Sequence, residues 1–265
     1  MKKFWFILTA LVATCFLVAC SGSQGVSPKT IKEKKKIVVA TESEFAPFEF
    51  KSLVNGKDTL VGADIELAKA IGEKLGVKVE FSVMSFDNVL ANVQSGKADI
   101  AIAGISVTDE RKKVYDFSDS YYTSENVVIV KKDKVNDYTS TDSLAKQTVG
   151  TQKGSVQETV AKKQISKASV VSLTSNGEMI NELKSGQLQA VVLEKAIAEG
   201  YIAQNDDLTL ANFNLKSDST DAYAVATRKG SDDLLKEINA VIKETKDSGK
   251  FDQWLKEAST YKQSK

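Results

Sequence analysis

The chain has only two arginines, and one of them, Arg111, stands where a cation is least expected. It follows Thr108, a helix-capping residue type, and the acids Asp109 and Glu110, so it falls in the first turn of a predicted helix. A positive charge there opposes the helix dipole by about 0.5 kcal/mol unless an anion or another partner offsets it. A guanidinium is a planar fork that grips a carboxylate through two hydrogen bonds, which lysine cannot reproduce. Arg111 is thus a candidate carboxylate clamp, with a surface ion pair to Asp109 or Asp116 as the competing expectation. Glu194 follows an apolar strand-like run, where it could hold an ammonium at a sheet edge or pair with Lys195 at the surface. Glu42, Glu44 and Phe45 follow the first apolar run, ahead of Ala46-Pro47-Phe48, and bring two acids and an aromatic face to one place. Phe86 opens the helix opposite. It and Phe45 can sandwich a planar or cationic side chain, or both rings can belong to the core.

A second polar turn, Gly150-Thr151-Gln152-Lys153-Gly154-Ser155-Val156-Gln157-Glu158, leads into Ser155-x-x-Glu158, the capping-box pattern. Backbone N–H groups at a helix start suit an anion, although capping boxes are most often structural. Gln152, Val156 and Gln157 are candidate binding residues in this turn.

Composition narrows the chemistry. There is no histidine, which removes the commonest general base, the usual nucleophile pairs and imidazole metal ligands. Lys and Arg total 36 against 35 Asp and Glu, so no basic footprint for nucleic acid exists. Both cysteines, Cys15 and Cys20, fall within the first twenty residues and leave the rest of the chain without a thiol. No cofactor and no metal is expected.

The elements that must position these residues alternate. Ile37 to Ala40 reads as a buried strand, and Asp64 to Leu75 as an amphipathic helix with Leu67, Ile71 and Leu75 on one face, stopped by Gly76. Val77 to Val83 is a strand, Phe86 to Ser95 a helix, and Asp99 to Ala103 a strand after Gly96. Alternation of this kind predicts a parallel sheet, whose ligands bind beyond the carboxyl ends of its strands. A weak internal repeat pairs Leu90 to Ala103 with Leu183 to Leu193, each helix, Ser-Gly, strand. Thr148 to Thr151 starts the second series. The runs Val127 to Val130 and Tyr223 to Ala226 are placed where the chain crosses between two α/β lobes. The stripe Leu234, Leu235, Ile238, Val241 and Ile242, with Phe251 and Trp254 beyond, returns to the first lobe as core.

The amino terminus reads as a processing signal: Lys2 and Lys3, an apolar run from Phe4 to Val18, then Ala19 and Cys20. Leu17-Val18-Ala19-Cys20 resembles the lipobox of bacterial lipoproteins. That resemblance implies removal of residues 1–19 and acylation of Cys20, palmitate included; an ordinary signal peptide or an uncleaved anchor is the alternative. Residues 20–36, small and polar and then lysine-rich, read as a lipidated tether.

Taken in order, Phe45-Ala46-Pro47-Phe48, Val61-Gly62-Ala63-Asp64-Ile65-Glu66-Leu67-Ala68, the loop Gly104 to Arg111, Asp116-Phe117-Ser118, Gly154 to Glu158 and Glu194 resemble the polar amino-acid solute-binding proteins of ABC importers, the type II periplasmic binding proteins. The resemblance implies a two-lobe α/β fold, each lobe a mostly parallel sheet flanked by helices, joined by a two-strand hinge. It places lobe one at 37–128 and 223–261 and lobe two at 129–222. By similarity Arg111, Ser106 and the Val156 N–H hold an α-carboxylate, Glu194 and the Gly104 carbonyl hold the α-ammonium, and Phe45 and Phe86 flank the side chain. Basic-amino-acid binders often carry an aspartate after strand one, where this chain has Glu42, and the usual aspartate of the ammonium site is Glu194 here. A basic L-amino acid is the favoured ligand, with glutamine, cystine or another polar amino acid open. The implied partners are a free amino acid and the ABC permease membrane subunits. The protein is expected to be a monomer on the outer face of the cell membrane, attached by lipid alone. A cyclohexadienyl or arogenate-type dehydratase, or a sensory or adhesive module, is the rival on the same fold.

Overall fold

In the computed structural model the described residues are 25–216 and 222–264; the expected signal segment 1–19 and the expected lipidation of Cys20 lie outside them. The first element departs from expectation. Pro28–Lys34 is a helix, α1, where the sequence reading has an irregular tether. Ser27 caps it by accepting from the Thr30 N–H at 3.2 Å, and Lys35 closes it in the left-handed conformation. Ile31 is fully buried, and Val26 is tied to the domain by its N–H, which donates to Ser231 Oγ at 2.8 Å. One buried apolar residue in a helix of 7 residues leaves no periodic signal to read.

The first lobe is built from β1 (Lys36–Thr41), the small antiparallel sheet β2 (Glu44–Phe45), β3 (Glu49–Val54) and β4 (Lys57–Val61), then α2 (Ala63–Leu75), β5 (Lys78–Val83), α3 (Phe86–Gln94), β6 (Ile100–Ala101), α4 (Asp109–Lys112) and β7 (Tyr115–Phe117). The expected strand at 99–103 narrows to β6. The chain on either side nevertheless stays bonded to β1, with the Asp99 N–H donating to the Val38 carbonyl at 2.8 Å and the Ile102 N–H to Ala40 at 3.1 Å.

After β8 (Tyr122–Thr123) the chain enters the second lobe: β9 (Asn126–Lys131), β10 (Thr148–Gln152), α5 (Val156–Gln164), β11 (Ser169–Leu173), α6 (Asn176–Ser185), β12 (Ala190–Glu194), α7 (Lys195–Ala203) and β13 (Leu208–Leu210). It returns through β14 (Ala222–Tyr223) and β15 (Ala226–Arg228) to α8 (Asp232–Asp247) and α9 (Lys250–Ala258).

The repeat becomes visible in the strand orders, β5-β1-β6-β15-β7 and β11-β10-β12-β9-β13. Each sheet has a parallel trio followed by one strand that runs antiparallel and comes from the far side of the crossover. The crossing itself is the β8–β14 ribbon, Tyr122 opposite Tyr223 and Thr123 opposite Ala222. β9 pairs with β12 from Asn126 to Ile129, so the expected limit at 128/129 falls within a strand of the second sheet. The aliphatic faces of α8 and α9 pack on α2, with Leu234, Ile238, Phe251 and Trp254 in one buried cluster with Leu67 and Ile71. Among the described residues no helix is long and apolar enough to cross a membrane.

Candidate functional site

The loops that follow β1 and β6 carry the first lobe's polar groups, as the parallel sheet requires. Glu42, one residue past β1, is buried. Gly104 sits at φ 54, and a Cβ there would lie 2.5 Å from Phe45 Cε1, so the turn presses its backbone onto that ring. Phe45 is itself held 5.9 Å from Phe48 and 6.3 Å from Tyr223, centroid to centroid. Ser106 is buried and bridged to Tyr223. Thr108 caps α4 as the sequence suggests, accepting from the Arg111 N–H at 3.1 Å. The Arg111 side chain leaves the helix, donates from Nη1 to the Ser106 carbonyl at 2.7 Å, and lays Cζ 5.7 Å from the centre of the Phe86 ring. The competing ion pairs do not form. Asp109 meets Lys112 at 3.5 Å, and Asp116 meets Lys229 Nζ and the Gly230 N–H, each at 2.7 Å.

In the second lobe Ser155 caps α5 by accepting from the Glu158 N–H at 3.3 Å, but the Glu158 carboxylate reaches the Gly154 N–H at 3.0 Å instead of the cap's own N–H. Half of the expected box is therefore present. Val156 is the first residue of α5, and Gln157 donates from Nε2 to Asn126 Oδ1 at 2.7 Å. Glu194 ends β12, directly before α7, and is buried opposite Asn126. Lys195, its alternative partner, instead meets Glu125 at 3.5 Å.

These two sets meet across the cleft. Arg111 Nη2 donates to the Gly154 carbonyl at 3.1 Å, and Gln152 Nε2 donates to both oxygens of Glu42, at 3.0 and 3.1 Å. Lys153 pairs with Asp87 at 3.0 Å. The lobes are thus closed on one another. Burial lowers the Arg111 guanidinium to about 10, against the opposing pull of Glu194. Burial pushes Glu42 up to about 8; Gln152 lowers it, while Glu44 and Glu194 add to the rise. The closed cleft therefore sets one guanidinium against buried carboxyls, an arrangement suited to a molecule with charges of both signs. Glu44 is different. Its Oε2 accepts from Ser175 Oγ at 2.7 Å and from the Gly177 N–H at 3.1 Å, at the start of α6. It lines a groove of about 900 Å³ shared with Ser175, Tyr201 and Gln263 that contains none of the other candidates.

Residues 37–258 match the model of the bacterial extracellular solute-binding proteins, family 3. The chain belongs to this family. An amino-acid ABC transporter substrate-binding protein of Streptococcus pneumoniae, solved bound to L-arginine, is 50% identical, with a TM-score of 0.86 over 89% of this chain and 100% of its own. The arginine-binding extracellular protein ArtP of Bacillus subtilis is 34% identical over 97% of both chains. The glutamine-binding protein GlnH of the same organism is 32% identical over 97% of this chain and 98% of its own. The relatives named here are binding components of transporters or extracellular binding proteins.

In this family 3 protein the sequence reading missed the contacts that lie beside the cleft and beneath it. The Lys153–Asp87 pair, the Glu44 cap, Asn126 and the buried acids Glu49 and Asp64 carry no periodicity or motif of their own. Asp64 lies in one of the runs that carry the family resemblance, where helix amphipathicity explains its neighbours but not a fully buried acid in the first turn.

Proposed function

We propose that this protein captures a free L-amino acid in the cleft between its lobes and delivers it to an ABC permease, and that a basic amino acid is its preferred ligand. The observation that carries the reading is the opposition of Arg111 and Glu194 within one buried cleft, each supplied by a different lobe. Arg111, Ser106 and the start of α5 at Val156 take the α-carboxylate; Glu194 and the Gly104 carbonyl take the α-ammonium. Phe45, Phe86, Gln152 and Gln157 frame the side chain. Glu42 supports a cationic one, since a buried carboxyl pushed up to about 8 is the group a guanidinium or ammonium would ionise. The arginine-binding relatives point the same way. Ligand groups from both lobes favour the closed state, and the β8–β14 ribbon is the hinge. We place the lobe limits at that ribbon.

The chain acts as a monomer outside the cell, held by lipid on Cys20, and performs no catalysis. Changing Cys20 to Ser releases the protein from membranes into the medium if the anchor is correct; unchanged membrane fractionation removes it.

Thermal unfolding with a panel of the twenty L-amino acids tests the ligand class. A ligand at 100 times its dissociation constant contributes about 2.7 kcal/mol, and arginine, lysine or histidine gives the largest rise. A flat panel rejects the assignment, and a glutamine or cystine maximum rejects the basic preference.

A further inference from the structure

Beneath the Gly104 loop lie two carboxyl groups that ligand capture leaves unused. Glu49, on β3, and Asp64, in the first turn of α2, are fully enclosed, and each carboxyl interacts directly with the other. Asp64 Oδ2 accepts from the Gly104 N–H at 3.1 Å and from the Tyr121 hydroxyl at 2.8 Å. Both oxygens of Glu49 and Oδ1 of Asp64 meet no donor among the described residues. Two ionised carboxylates enclosed together would repel each other without water to screen them, whereas one proton between them gives the facing oxygens a bond. We propose that Glu49 and Asp64 share a single proton and together position the Gly104 loop, Asp64 as its charged acceptor and Glu49 as the neutral donor behind it.

The surroundings support that division. Burial, then Asp64, Glu42 and Glu194, hold Glu49 well above the usual carboxylate range. Burial lifts Asp64 only to about 6, because the Tyr121 hydroxyl and the Gly104 N–H donate to it and its interaction with Glu49 lowers it further. Tyr121 and Tyr223, the phenols on the hinge side, are pushed up by burial and stay neutral. Gly104 has little freedom of its own, pressed between Phe45 and this acceptor. The pair is thus a positioning device for the carbonyl that the proposed function assigns to the α-ammonium, and it rests on that assignment.

L-Arginine titrations at pH 5 and pH 7 on the mature protein and three variants test it, with folding checked by melting temperature. Glu49→Gln keeps a neutral donor and retains wild-type affinity at pH 7, while Glu49→Ala, which leaves Asp64 Oδ1 unserved, loses about tenfold. Asp64→Asn, a neutral acceptor, binds about tenfold more weakly at both pH values, and the wild type falls toward it at pH 5 as Asp64 protonates. Infrared spectra of a ligand-free Glu42→Gln protein, in which Glu42 contributes no band, carry a protonated-carboxyl band at pH 7 that adding Glu49→Gln removes. A tenfold loss in Glu49→Gln, or no such band, overturns the shared proton. Wild-type and Asp64→Asn affinities that keep a constant ratio between the two pH values overturn the positioning role. Failure of the wild type to bind any amino acid overturns the ligand assignment and the positioning role with it, while the infrared band still decides the proton.

Discussion

Arg111 does three jobs with one planar group: it holds its own loop through the Ser106 carbonyl, reaches the other lobe at the Gly154 carbonyl, and covers the Phe86 ring. Even lowered to about 10 it stays charged at neutral pH. A lysine would keep the charge but, as a flexible point donor, would not span both carbonyls and a ligand carboxylate together. Arg111→Lys is therefore expected to weaken L-arginine binding by about 100-fold, ~2.7 kcal/mol, by titration calorimetry, with the ligand-free melting temperature little changed. Wild-type affinity in that variant would take Arg111 out of the site. At this scale the sequence was informative where a residue was rare or misplaced for its local element, as Arg111 is. It grouped Glu44 with Glu42, because nothing in an acid two residues from Glu42 says that one turns into the cleft and the other to a helix of the opposite lobe.

That opposite helix is α6, and Glu44 acts on it as a cap supplied from another lobe. Ser175 accepts from the Glu178 N–H at 3.1 Å and donates to Glu44, whose carboxylate also takes the Gly177 N–H, so the negative charge sits at the positive end of the helix dipole. These bonds exist only when the lobes are together. Glu44→Ala is expected to weaken L-arginine and L-glutamine binding alike, by about three- to tenfold, because the loss falls on closure and not on ligand contact. A change confined to arginine would instead put Glu44 against the ligand's side chain. Elements were legible where burial imposes a period: the α2 and α8 stripes lie in the core as read, and the Ser-Gly ends before β6 and β12 mark matching places in the two sheets. They were illegible where a single side chain decides. Ile31 is the one residue that α1 buries, and the ends of β9 depend on its pairing with β12, a contact distant in sequence.

At the scale of the whole molecule, Glu42 is buried in the closed cleft, and under the proposed function the proton balance of closing over it sets the choice of ligand. With the lobes apart its carboxyl returns toward the ordinary 4.5, whereas closed without a cation it is pushed up to about 8. Between these values the open form is ionised and the closed form protonated. Closing on a neutral amino acid then takes up a proton, and becomes less favourable as pH rises through the window, by up to about tenfold per unit. Closing on a guanidinium or ammonium side chain leaves Glu42 ionised in both states and takes up none. The preference for L-arginine over L-glutamine should therefore grow from about pH 5 to about pH 8 and level off above it. The effect of Glu49 and Asp64 is common to both ligands and cancels in the ratio. Competition calorimetry across that range measures it directly, and Glu42→Gln should make the ratio both smaller and independent of pH. A ratio that stays constant in the wild type would mean that Glu42 does not face the ligand's side chain, and the preference for a basic amino acid would then need another source.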